Sequence, residues 1–75
     1  MFGMAASNKD MALSAADSGF GDAVKKALGL LQDNLITDPS PMGRQGARDR
    51  FAVAVKAALD ARAIARGVVD TVITD

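Results

Sequence analysis

Apolar residues recur along this chain with helical spacing and never alternate in the manner of a strand. Between residues 19 and 36, Phe20, Ala23, Val24, Ala27, Leu28, Leu30, Leu31 and Leu35 return every few positions, with Asp22, Lys25, Lys26 and Asp33 opposite. An amphipathic helix over 19–36 follows. From 41 to 74 a longer helix is predicted. Within it Ala47, Phe51, Ala54, Ala58, Ala61, Ala65, Val68 and Val72 step alternately by four and three, the pattern of a coiled-coil seam. Alanine fills most of that seam, so a neighbouring backbone can come close. Arg44, Arg48, Asp49, Lys56, Asp60, Arg62, Arg66 and Asp70 share another side. Val53, Ala57 and Ile64 widen the apolar arc on one flank, and Val55, Val69 and Ile73 on the other. The whole arc spans roughly 200°, whereas a surface helix needs about 100°. One partner helix does not cover it. The excess must meet other subunits or lie exposed, unless the N-terminal segment folds back to complete a self-contained three-helix bundle.

Two stretches punctuate the pattern. Asp17-Ser18-Gly19-Phe20-Gly21 reads as a division between a first segment, 1–18, and the helix that follows, with Ser18 or Asp17 as its N-cap. Residues 4–17 read either as a short helix or as a tail of small residues. Ser7 with Asp10 makes a variant of the capping box, and Met4, Met11, Ala12 and Ala15 fall on one side. Thr37-Asp38-Pro39-Ser40-Pro41 is the stronger break. Pro39 pushes Asp38 out of helical geometry, Ser40 stands where an N-cap belongs, and Pro41 occupies the first helical position. The expected architecture is all-α: a single helical-hairpin domain over 1–75, with helix 19–36, turn 37–41 and long helix 41–74. That last helix would be roughly 50 Å long, and segments 4–17 and 19–36 would match it if collinear.

Composition narrows the function. With 75 residues the chain is close to the lower limit for a self-sufficient core. Cysteine and histidine are absent, which removes disulfides and the usual zinc ligands and leaves oligomerisation as the remaining support. The same absence removes the common nucleophiles and general bases, and no cofactor site is expected. Asp60 and Asp70 stand about 15 Å apart along a helix, too far for a carboxylate pair. Gly19-Phe20-Gly21 and Gly43-Arg44-Gln45-Gly46 lack the spacing of nucleotide-binding loops. An enzyme is not expected. Nine basic and nine acidic groups balance, so no nucleic-acid footprint is present. Residues 1–38 carry three basic and five acidic groups and residues 39–75 six and four, a mild dipole that favours antiparallel or head-to-tail neighbours. No run reaches the roughly 20 apolar residues of a membrane span. The start lacks a basic, then long apolar, leader, so export would proceed without a cleaved signal peptide.

The stretch Leu35-Ile36-Thr37-Asp38-Pro39-Ser40-Pro41-Met42 resembles the turn of the needle-filament subunits of bacterial type III secretion systems, a Leu-x-x-Asp/Asn-Pro-x-x-Met/Leu pattern. Ala65-Arg66-Gly67-Val68-Val69-Asp70-Thr71-Val72-Ile73 is similar to that family's closing segment. The family's aromatic and Gln/Asn residues midway along the last helix are replaced here by alanine and Lys56, Asp60 and Arg62. The resemblance covers 35–75. It implies a structural subunit of an extracellular or cell-surface filament, a tubular secretion needle or a pilus-like fibre, that packs on copies of itself. In that reading Phe20, Val24, Leu28, Leu31, Leu35, Phe51, Ala54, Ala58, Ala61, Ala65, Val68 and Val72 pack between helices. Lys56, Asp60, Arg62, Arg66 and Asp70 face a lumen that passes unfolded protein cargo. A helical adaptor or phage structural module docking on a larger partner, in the cytoplasm, is the alternative.

Overall fold

The computed structural model describes residues 7–74, and the part of the first segment before Ser7, Met4 included, lies outside them. Two helices account for nearly all of it: α1, Asn8–Thr37, and α2, Pro41–Val72. They form an antiparallel hairpin, and no strand occurs among the described residues.

The helix starts follow from local chemistry. At α1, Ser7 is the N-cap, and its hydroxyl accepts from the Asp10 N–H at 3.0 Å. At α2, Ser40 is the N-cap, accepting from the Gly43 N–H at 3.1 Å, with Pro41 beginning the helix. Each cap satisfies a donor that has no intrahelical acceptor. Between the helices, the Asp38 N–H donates back to the Asn34 carbonyl at 3.0 Å and the Asp38 carboxylate accepts from the Ser40 N–H at 3.2 Å.

The division expected at Asp17–Gly21 does not exist, and neither Ser18 nor Asp17 caps a helix. α1 runs without interruption for 30 residues. Gly19 and Gly21 each cost on the order of 1 kcal/mol in a helix relative to alanine, and tertiary contact offsets that: Phe20, between them, lies under the Arg62 guanidinium at 4.3 Å. Two arms of nearly equal length result. The fold-back into a three-helix bundle does not form among the described residues, because the segment that would fold back is the first part of α1 itself.

Helix–helix contact follows a different period from the one expected. Among the more covered positions, one series on α1 runs Lys9, Leu13, Ala16, Phe20, Val24, Ala27, Leu31, Leu35; one on α2 and its C-cap runs Ala47, Phe51, Ala54, Ala58, Arg62, Ala65, Val69, Ile73. Both series step by 4, 3, 4, 4, 3, 4, 4. That is an 11-residue repeat, about 3.67 residues per turn, which keeps helices nearly straight where a 3.5-residue repeat would wind them left-handed. The alternating four–three seam therefore drifts off the contact in its second half. Ala61, Val68 and Val72 are exposed, and Arg62, Val69 and Ile73 take the inward positions.

Only Ala27 and Ala47 are buried among the described residues. The molecule is a slab 55 × 27 × 10 Å, one helix thick, with a radius of gyration of 17.3 Å, where a compact domain of this length would have about 11 Å.

Candidate functional site

The turn is tightly constrained. Gly43 is on the first turn of α2 directly beneath Asp38; a Cβ there would overlap the Asp38 carbonyl oxygen and its carboxyl carbon. Its φ is negative, so the glycine is needed for close approach and not for an unusual backbone. Hydrogen bonds from the Ser40 hydroxyl and the Ser40 N–H hold the Asp38 carboxyl below its ordinary range. Gly43 N–H to Ser40 Oγ, and Ser40 in turn to Asp38, make one short network that locks the reversal. On one broad side of the slab beside it, Leu31, Leu35, Pro39, Pro41, Arg44 and Arg48 border an open cleft of about 480 Å³.

The far end of the hairpin is braced by charge. Arg66 Nη1 donates to both carboxylate oxygens of Asp17 at 3.2 Å, and Lys9 Nζ pairs with Asp70 at 3.3 Å. Together with Arg62 over Phe20, these contacts bind the last three turns of α2 to the first four of α1. The charged side expected for α2 is thereby divided. Lys56 and Asp60 lie exposed on the outer edge, Arg66 and Asp70 engage α1, and Arg62 turns inward. Sequence reasoning missed Asp17 and Lys9 as their partners. Their signal was the mild charge asymmetry of the two halves, which requires the hairpin register before it names pairs.

The two broad faces differ. The Asp17–Arg66 and Lys9–Asp70 pairs, with Arg44 and Arg48, lie toward one of them. On α2 the other face carries Met42, Gly46, Arg50, Val53, Ala57, Ala61, Ile64, Val68 and Val72, stepping by fours and threes. Shallow grooves run along it between the helices, bordered in the open half by Ala16, Gly19, Ala23, Ala58, Ala61 and Ala65, and nearer the turn by Leu30, Asn34, Arg50 and Ala54. Its large apolar residues are strongly exposed: Met42 by 85%, Val53 by 69%, Ile64 by 67% and Val72 by 70%. Of the residues expected to pack, Phe20, Val24, Leu31, Leu35, Phe51, Ala54, Ala58 and Ala65 are half-covered by the facing helix. Leu28, Ala61, Val68 and Val72 stand open, Leu28 toward the charged face and the others toward the apolar one.

Among the described residues no three His, Cys, Asp or Glu side chains converge as a metal site, and no buried side-chain polar atom lacks a partner. None of the helices described is long and apolar enough to cross a membrane. Fold and surface define the class as an all-α helical hairpin with one uncovered apolar face. Comparison with known proteins returns no matching family model, no matching curated protein and no matching solved structure.

Proposed function

We propose that this protein is a structural subunit that self-associates, and that its working form is a helical filament. The observation that carries the reading is the mismatch between what the hairpin buries and what it exposes. Two buried alanines do not stabilise a two-helix unit, and an uncovered apolar face of this length drives association. In its finer form the assembly is tubular, as in the secretion needles whose turn and closing segment residues 35–75 resemble. Lys56 and Asp60, free of intramolecular pairs on the outer edge of α2, would then line the lumen. Their opposite signs suit passage of unfolded protein, since a lumen of one sign would retain cargo of the other.

Negative-stain microscopy and velocity sedimentation on the full chain, from micromolar to millimolar concentration, test this. Filaments, with a sedimenting fraction that grows with concentration, are the expected result. A protein that stays monomeric and helical throughout, or associates only with a foreign partner, contradicts self-assembly and favours the adaptor.

A further inference from the structure

We infer that two copies pair through the apolar face, α2 against α2 in antiparallel register, to give a two-fold four-helix bundle with the charged faces outward. The inference rests on the self-association part of that reading and adds which surface is used and by what symmetry; because a two-fold contact closes on itself, a filament would grow from this pair through its remaining edges.

The exposed area is large enough for a pair. The chain presents 5563 Å² of surface, against about 4300 Å² for a compact protein of its mass. The excess, about 1200 Å², is spread over the whole slab, and one broad face with extents of 55 × 27 Å is itself large enough for the roughly 800 Å² per partner that a stable pair covers. The distribution of apolar residues is uneven. Six of the exposed large apolar residues, Leu30, Met42, Val53, Ile64, Val68 and Val72, lie toward the same broad face; Met11 and Ile36 stand on the outer edge of α1, and Leu28 and Leu59 toward the charged face are only 43% and 42% exposed. One-sided apolarity favours an interface that closes on itself.

Register points the same way. The α2 stripe is nearly symmetric about its middle: Ala57 and Ala61 at the centre, Val53 and Ile64 outside them, then Arg50 and Val68, then Gly46 and Val72. Antiparallel self-pairing therefore sets alanine against alanine where the backbones cross. It sets Val53 beside Ile64 of the second copy on both sides, and Gly46 opposite Val72. A foreign helix has no reason to match that symmetry; a second copy does so automatically. Arg50 and Lys26, the cations toward this face, have stems long enough to carry their charges to the rim.

The test is sedimentation equilibrium on the full chain with circular dichroism. Wild type should fit even-numbered species. Ile64→Asp places an unpaired charge in the contact and should raise the dissociation constant by about 100-fold or more. Ala52→Asp, on the charged side, should leave it unchanged. Because loss of pairing can also unfold the chain, Val53→Lys with Ile64→Asp supplies the rescue: each lysine meets the second copy's aspartate, and dimer should return. Association unchanged by Ile64→Asp, or no recovery in the double variant, overturns the pair. Filaments that form equally well from Ile64→Asp sink the pair but keep the filament. Even-numbered species without filaments keep the pair and sink the filament.

Discussion

Glycine carries opposite signs at different positions of this chain. At Gly29 an added Cβ meets nothing within 4 Å, so Gly29→Ala should stabilise by about 0.4–1 kcal/mol through helix propensity and the unfolded chain's lost freedom. At Gly43 the same change drives a methyl into Asp38 and should destabilise by about 1–3 kcal/mol despite the better propensity. Paired thermal melts decide it; two variants shifting in the same direction would mean that the turn relaxes freely. Asp38 gives the matching pH expectation. Ser40 holds its carboxyl below the ordinary range, so the ionised form is favoured in the folded state. The stability it contributes is fully present above the unfolded value, about pH 4, and is lost as pH falls through the lower folded value. The advantage of wild type over Asp38→Asn should accordingly hold at pH 7 and shrink below pH 4. A gap that is constant down to pH 2 contradicts the network.

Among the elements, the turn was legible in sequence and the seam was not. Asp38-Pro39-Ser40-Pro41 acts through local sterics and capping, which need no tertiary knowledge. Asp17–Gly21 looked like another boundary because glycine and serine are poor helix formers. Yet the propensity deficit of the two glycines, about 2 kcal/mol, is comparable with what the half-covered Phe20 contributes through burial and its Arg62 contact, and α1 continues. The seam failed for a different reason. Repeats of 3.5 and 3.67 residues agree over the first three turns and separate only afterwards, and alanine on both flanks gives no contrast between them. The surplus apolar arc, and hence the existence of a surface to cover, was visible. Which part of it faces α1 required the straight-helix period. Two substitutions probe this element directly. Ala47 is wholly buried, so Ala47→Leu should cost about 1–3 kcal/mol, which is several degrees or more in Tm for a chain this size. Arg62→Ala should cost about 0.5–1 kcal/mol from the lost ring contact, and more than Arg66→Ala, whose half-exposed pair is worth less than about 1 kcal/mol. An Arg66→Ala loss exceeding that of Arg62→Ala would show that Phe20 does not anchor the open half.

At the scale of the whole molecule, a slab one helix thick has no interior of its own, so the proposed self-association would couple folding to assembly. The midpoint of thermal unfolding should rise with protein concentration; a midpoint independent of concentration over a hundredfold range would mean that the hairpin stands alone. A second consequence comes from where the cross-helix contacts sit. Those involving charge, at Arg62, Arg66 and Lys9, are at the open end, whereas the turn end is held by steric fit and caps. Added salt screens the first kind over about 8 Å at physiological strength and acts less on the second, where the Asp38 carboxylate bonds a neutral serine. Ionic strength thus becomes a control mainly on one end. In concentrated salt the tips should fray while the elbow keeps its amide protons, giving a gradient of hydrogen exchange that climbs from residue 40 toward both arms.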